Sequence, residues 1–180
     1  MSLKNLHFTA DVQHLDKYGN IIWEEKGIHN IYHDEGEQNI LYNSFATGSA
    51  NWSVPANYYV GLDDRVALAE ADTLGSLDDE PVGNGYARSP LSSSGTGAAG
   101  QDFVISQPGE AYQFVTKDVV FTAAGGAWTD ARNLFICTHI DAVASAVGAR
   151  LICSLALSAS RTLADAETLT CTFTLGVSEA

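Results

Sequence analysis

Polar and apolar residues alternate near both ends of this chain, and the alternation predicts β-strands. In residues 6–15, Phe8, Ala10 and Val12 share one face, while the side chains between them are polar. A period of two is the pattern of a strand with one buried face. Residues 168–177 repeat it, with threonines facing outward as strands favour. Their inward positions are Leu169, Cys171, Phe173, Leu175 and Val177.

Shorter apolar runs, separated by turn residues, predict further strands. Turn chemistry at 16–20 joins the first strand to a second, which begins at Ile21 and extends through Ile31. Several short strands without a βαβ alternation indicate an antiparallel sandwich or barrel, so the predicted fold is mainly all-β. The remaining predicted strands are 58–62, 103–105, 112–116, 119–122, 134–140 and 150–157.

Residues 34–45 change period and predict one short helix. Ile40, Leu41 and Phe45 fall near one helical face. Acidic side chains fill the first turn, where the positive end of the helix dipole favours them. These are Asp34, Glu35 and Glu37.

Two long segments have no sustained period and are predicted to be loops. Residues 63–84 are rich in Asp, Glu, Gly and Ala, and residues 89–101 include the glycine-rich run SGTGAAG. Neither flank of either loop looks self-sufficient as a folding unit. The prediction is therefore one β-sandwich domain over residues 1–180, which the chain length also favours.

Charge and cysteine content narrow the function classes. The formal net charge is −13 with only nine Lys and Arg, whereas nucleic-acid binding depends on cationic contacts to phosphates. Three cysteines without close CxxC spacing are a poor basis for disulfides or zinc, so we expect a reducing cytosol as the place of synthesis. No apolar run approaches the ~20 residues of a membrane span. We expect neither nucleic acid nor membrane as a partner.

The stretch NYYVGLDDR, residues 57–65, is a candidate for a catalytic or metal-binding site. A buried strand there runs directly into Asp63, Asp64 and Arg65. Calcium loops need a tight spacing such as DxDxDG, which is absent, and a glycosidase needs two carboxylates at a fixed separation. We favour a solvated acidic surface loop over either site.

Other reactive side chains also have plainer interpretations. His29 and His33 are four residues apart, but extended backbone separates them too far for a zinc site, and we expect surface or interface histidines. Cys137 and His139 share a strand face without a suggested third residue or oxyanion hole. Cys153 and Cys171 are expected in the core. We predict no catalytic residue, no cofactor and no metal.

Several motifs, taken in order, resemble a known family. They are KYGNIIWEEKGIHNIYHDEGEQNIL, YYVGLDD, ADTL, GNGYAR, FTAAGGAWTDARNLFI and LTCTFTLGV. This series is similar to tailed-bacteriophage virion structural proteins of the capsid decoration, or cement, type. The resemblance implies a jelly-roll-like sandwich, made in the host bacterial cytoplasm, that binds the major capsid protein on the outside of the phage head. It also implies capsid stabilisation, frequent homotrimers and no catalytic residues.

The expected contacts follow from this resemblance and from exposed-looking positions. An N-terminal arm and the two long loops would reach neighbouring subunits, and an exposed Trp52 would be a good anchor. The candidate interface residues are Leu3, Asn5, Trp52, Tyr58, Tyr59, Asp63, Asp64 and Arg65. A phage tail or baseplate protein remains an alternative, as does a carbohydrate-binding sandwich that stacks sugar on Trp52, Tyr58 or Tyr59. A glycosidase using Asp63 and Asp64 is a more distant one.

Overall fold

Antiparallel strand pairing organises most of the chain. The computed structural model describes residues 4–45, 54–109, 112–140 and 148–179, and within these ranges it contains ten strands and one α-helix. The elements are β1 (Lys4–Leu15), β2 (Ile21–Tyr32), α1 (Asp34–Phe45), β3 (Asn57–Asp63), β4 (Ser89–Ser92), β5 (Phe103–Ser106), β6 (Gln113–Thr116), β7 (Val119–Thr122), β8 (Trp128–Cys137), β9 (Leu151–Leu163) and β10 (Thr168–Glu179).

The pairing is nested, as in a jelly roll. β1 pairs with β10, β2 with β9 and β3 with β8, all antiparallel. The full order is β4-β3-β8-β9-β2-β1-β10-β6-β5, and β7 also pairs with β10. The two ends of this sheet, β4 and β5, approach each other. Ser92 at the end of β4 donates its backbone N–H to the carboxylate of Asp102, just before β5, at 2.7 Å. The predicted all-β, jelly-roll-like fold is confirmed.

The main core fills the space between the two layers of this curled sheet. The alternation of β1 and β10 is as predicted: Ala10 lies opposite Phe173 and Val12 opposite Cys171, all four buried. The Phe8 ring packs beside those of Tyr32, Phe114 and Phe173. Burial of such aromatic and aliphatic surface is the main force that stabilises a domain of this size.

Three strands differ most from the sequence prediction, namely β4, β8 and β9. Residues 89–92, predicted as part of a loop, form β4; Pro90 is tolerated there because β4 is an edge strand that pairs only with β3. β8 begins at Trp128 and ends at Cys137, and a positive φ of 58° at Asp130 with register shifts hides its alternation. β9 continues to Leu163, beyond the predicted end at residue 157.

The segment 63–84, named the docked segment below, packs against the sandwich. It is therefore not a loop that is solvated along its whole length. Leu68, Leu74 and Leu77 are buried in a second apolar cluster with Phe135 and Leu151. These leucines are separated by acidic residues without a regular period, so the sequence pattern does not show them as core. The charged side chains of the segment lie toward solvent or form ion pairs, Arg65 with Asp63 and Asp72 and Glu80 with Arg88.

The helix α1 has the predicted bounds and packs on β9 at very short range. A Cβ added to Gly36 would lie 2.1 Å from the Ile152 carbonyl oxygen, so only glycine fits this contact. Ile40 is half-buried, whereas Leu41, predicted on the packed face, is 58% exposed. The helix is therefore buried most deeply near Gly36 in its first turn, and not evenly along the apolar face that the sequence predicts.

Candidate functional site

The end of β3 carries a buried ion pair in place of a solvated charge. Asp63 is 0% exposed and accepts hydrogen bonds from the Arg65 backbone N–H at 3.1 Å and from Arg65 Nε at 3.2 and 3.3 Å. Burial raises the pKa of the Asp63 carboxyl, although the Arg65 charge opposes the shift. The pair closes the strand end, and Asp63 is not a surface contact residue.

Asp64 lies on the surface beside other charged groups. It shares a shallow depression with Asp79, Asp130 and Arg132. Partial burial, and then the neighbouring Asp79 charge, raise the pKa of the Asp64 carboxyl. Among the residues described, no three His, Cys, Asp or Glu side chains are arranged to hold a metal ion. Of the predicted charged interface positions, Asp64 is the one that the fold places at the surface with its carboxyl accessible.

The other predicted interface residues are dispersed. Tyr58 and Tyr59 lie on opposite faces of β3: Tyr58 packs edge-on against Phe103 at 6.0 Å, and Tyr59 packs on the second apolar cluster. Both are half-buried, so they do not form a shared platform for a sugar ring. Asn5 lies in β1 opposite Ser178. Leu3 and Trp52 lie outside the described residues.

A buried Arg88 network ties the docked segment to β8, and the sequence alone gives no sign of it. Arg88, 5% exposed, donates from Nε to Glu80 Oε2 at 3.0 Å and from Nη1 to the His139 carbonyl at 2.9 Å. Tyr86 donates its hydroxyl to Glu80 Oε2 at 2.7 Å. Burial, and then the Glu80 charge, raise the pKa of Tyr86. Arg88 Nη2 also donates to Glu80 Oε1, and a bidentate Arg–carboxylate pair of this kind fixes geometry as well as charge.

The residues at the N-terminal end of α1 form a second buried network. This network shows that the predicted surface or interface position of His33, the residue just before the helix, is wrong. His33 is fully buried, with Nε2 2.8 Å from Ser154 Oγ and Nδ1 3.2 Å from the Glu70 carbonyl, so it is not a surface histidine. Glu35 Oε2 accepts the backbone N–H groups of Leu74 and Leu151. Together the two side chains join the helix, the docked segment and β9.

The cysteines are buried thiols. Burial raises the pKa of Cys137 to about 11 and that of Cys153 to about 12, and it also raises the pKa of Cys171. Cys137 donates to the His139 carbonyl oxygen at 3.2 Å. Since a thiolate is the reactive form, raised pKa values argue against a Cys137 nucleophile. The prediction of core cysteines is confirmed for Cys153 and Cys171.

Exposed apolar side chains occur at the β1–β2 hairpin, in the docked segment and at several other positions. The tip of the β1–β2 hairpin presents Tyr18, Ile21 and Ile22, at 78%, 54% and 52% exposure. The turn below is rigid, because Asp16 Oδ1 accepts the backbone N–H groups of Tyr18 and Asn20, both at 2.8 Å. At the docked segment, Val66 and Val82 are 82% and 92% exposed. Side chains of similar exposure also occur elsewhere in the described chain, for example at Leu41, Val54 and Ile105.

Several of the positive charges have partners within the chain. Arg65, Arg88 and Lys117 lie within 4 Å of Asp63, Glu80 and Asp102 respectively. Arg161 stacks at 3.8 Å over the Trp23 ring. With a formal net charge of −13, the surface is left predominantly acidic.

No protein-family model, curated protein or solved structure matches this chain. In the part of the chain that the structure describes, no helix has the length and apolar character required to cross a membrane.

Proposed function

We propose that this chain is a bacteriophage capsid decoration protein, which binds the major capsid protein on the outer surface of the head and stabilises the shell. The order of sequence motifs from KYGNIIW to LTCTFTLGV supports the proposal. The antiparallel, jelly-roll-like sandwich is the architecture that this resemblance implies. Synthesis in the bacterial cytoplasm, assembly on the virion and a trimeric state are parts of the same proposal.

The observation that carries the proposal is an apolar hairpin tip held on a rigid, acidic body. Tyr18, Ile21 and Ile22 project from a turn fixed by Asp16, so a partner would order few additional groups on contact. Association is stronger when the binding surface is already ordered. Tyrosine, as at Tyr18, is one of the residues enriched among those that contribute most of the binding energy of an interface.

The mechanism is mechanical. A protein that bridges adjacent capsid subunits adds buried area, and this area must be exposed again before the subunits separate. A standard interface buries about 1,600 Å² in total. Repetition over a lattice, and three contacts per trimer, make modest individual affinities effective. The acidic exterior would repel released nucleic acid.

The test is to add labelled protein to heads of the phage that encodes it and to image the particles. We expect label over the head lattice at regular positions. Ile22→Glu should reduce binding at least tenfold, whereas Val120→Glu, at an equally exposed apolar position on β7, should bind like the wild type. Label confined to the tail or baseplate would contradict the head assignment and favour the tail alternative.

A further inference from the structure

A deep apolar cavity lies between the layers of the sandwich and is not used by the proposed capsid contact. Its volume is about 360 Å³. Phe8, Ile136 and Ile152 form its floor and are 3%, 4% and 7% exposed. Thr96 and Ile105 lie at its exposed rim. The depression therefore runs from solvent into the core.

Aromatic side chains hold the cavity open. Phe103 packs edge-on against Tyr58 at 6.0 Å and against Phe114 at 5.3 Å, and Phe114 packs against Phe8 at 6.1 Å. These rings also line the cavity. Because each ring is fixed by the next, the walls cannot collapse inward without losing edge-to-face contacts. A preformed apolar concavity of at least about 300 Å³ is typical of small-molecule sites.

The lining restricts the chemistry of a ligand. The described lining residues are apolar or uncharged, and hydroxyl groups occur at Ser93 and Thr96 near the mouth and on the two tyrosines. The Ser93 hydroxyl already donates to the Pro55 carbonyl. An anion would therefore enter a cavity without a charged partner in a protein of net charge −13.

The volume restricts the size. An apolar cavity of about 150 Å³ is sufficient to hold benzene. A space of 360 Å³ therefore accommodates roughly ten to fourteen non-hydrogen atoms by the same proportion. The helix residue Ile40 forms part of the wall, so the available length depends on its side chain.

We propose that this cavity binds one neutral amphiphile of medium length, with its alkyl chain between Phe8 and Phe103 and its polar end at the Thr96 rim. Medium-chain alcohols represent this class. The proposal is independent of capsid binding, because the cavity residues and the hairpin tip are different sets.

The first experiment is calorimetric titration of the full chain with straight-chain 1-alkanols from six to fourteen carbons. We expect one site per chain. Each added CH₂ should strengthen binding about fourfold, from about 0.8 kcal/mol of transfer free energy per group. The gain should stop at roughly nine to thirteen carbons, when the cavity is full, because the hydroxyl oxygen occupies one of the ten to fourteen atom positions. Decanoate at pH 8 should bind at least tenfold more weakly than 1-decanol. A gain that continues through fourteen carbons would indicate surface adsorption and overturn the proposal.

The second experiment fills the cavity from the helix. Ile40→Trp should weaken 1-decanol binding at least tenfold, whereas Leu41→Trp, on the next residue and 58% exposed, should bind like the wild type. Circular dichroism and thermal melting would establish that both variants fold. Absence of alkanol binding by the folded wild type would overturn the proposal, and so would equal binding by the two variants. Loss of capsid attachment in Ile40→Trp, without alkanol binding to the wild type, would assign the cavity to the capsid contact instead.

Discussion

Asp63 and Arg65, two residues apart at the end of β3, form an ion pair in which the carboxylate is fully buried and Arg65 Nε lies 3.2 Å from Asp63 Oδ1. The backbone N–H of Arg65 donates to the same oxygen. The stretch 57–65, which the sequence offers as a candidate catalytic or metal-binding segment, therefore ends in an ion pair that stabilises the end of the core strand β3.

Removal of the Asp63 carboxylate should therefore destabilise the fold. Asp63→Ala leaves Arg65 without its main partner and should cost about 3 kcal/mol, as breaking a buried pair does. Asp63→Asn keeps an oxygen that can accept the Arg65 N–H groups and should cost less. Denaturant unfolding of the two variants measures the difference. Equal stability of Asp63→Ala and the wild type would contradict the structural role.

The Arg88–Glu80 pair should also be sensitive to substitution, since Arg88 is 5% exposed. Arg88→Met should cost about 3–5 kcal/mol, because Glu80 is then buried without its counter-ion. Arg88→Lys should also destabilise, since an ammonium cannot reproduce the bidentate contact. The double variant Glu80→Gln with Arg88→Met should recover part of the loss. Additive losses in this denaturant-unfolding cycle would show that the two residues are not coupled.

Gly36 should be intolerant of alanine, although glycine to alanine usually stabilises a helix interior. The added Cβ would meet the Ile152 carbonyl oxygen at 2.1 Å, and the backbone of β9 cannot move aside as a side chain can. We expect Gly36→Ala to destabilise by about 1–3 kcal/mol. Gln38→Ala, at an exposed position of the same helix, is the control and should melt within a few degrees of the wild type.

His33 should make stability depend on pH. Burial lowers its pKa below the ordinary value of 6.5, and the nearby Asp72 and Glu35 charges only partly oppose this. The unfolded chain therefore binds the proton more readily than the folded one. The stabilising contribution is full above about pH 6.5 and is lost as pH falls through the lowered folded-state pKa.

The check is the free energy of unfolding between pH 7.5 and 5. It should fall with pH in the wild type and fall less steeply in His33→Gln. His29→Gln, at an exposed position on β2, is the matched control and should keep the wild-type slope. A steeper fall in His33→Gln than in the wild type would contradict the assigned sign.

Local patterns predict the regular elements of this fold well. The alternation at Leu169, Cys171 and Phe173 gives a strand with buried odd positions, and the acidic first turn marks the start of α1 at Asp34. Local sequence patterns fail where a segment becomes a strand because a neighbouring strand pairs with it, and not because its own residues alternate. The polar start of β8 is a strand because β9 lies beside it, and β4 is a strand because β3 does.

The site is less predictable than the fold. Whether Asp63 is solvated or buried depends on Arg65 folding back over it, and Arg88 is buried only because Glu80 accompanies it. His33 looks like a surface histidine until Ser154 and Glu70 are brought to it from elsewhere in the chain. Such contacts are tertiary, and the spacing of residues along the chain does not predict them.

The most direct measurement of the central claim is the temperature at which filled phage heads release their DNA, with and without this protein. Heads that lack it should release DNA at a lower temperature, and added purified protein should restore the original value. The Ile22→Glu variant, added at the same concentration, should restore it less than Val120→Glu does. Identical release temperatures for heads with and without the protein, at full occupancy, would contradict a stabilising role.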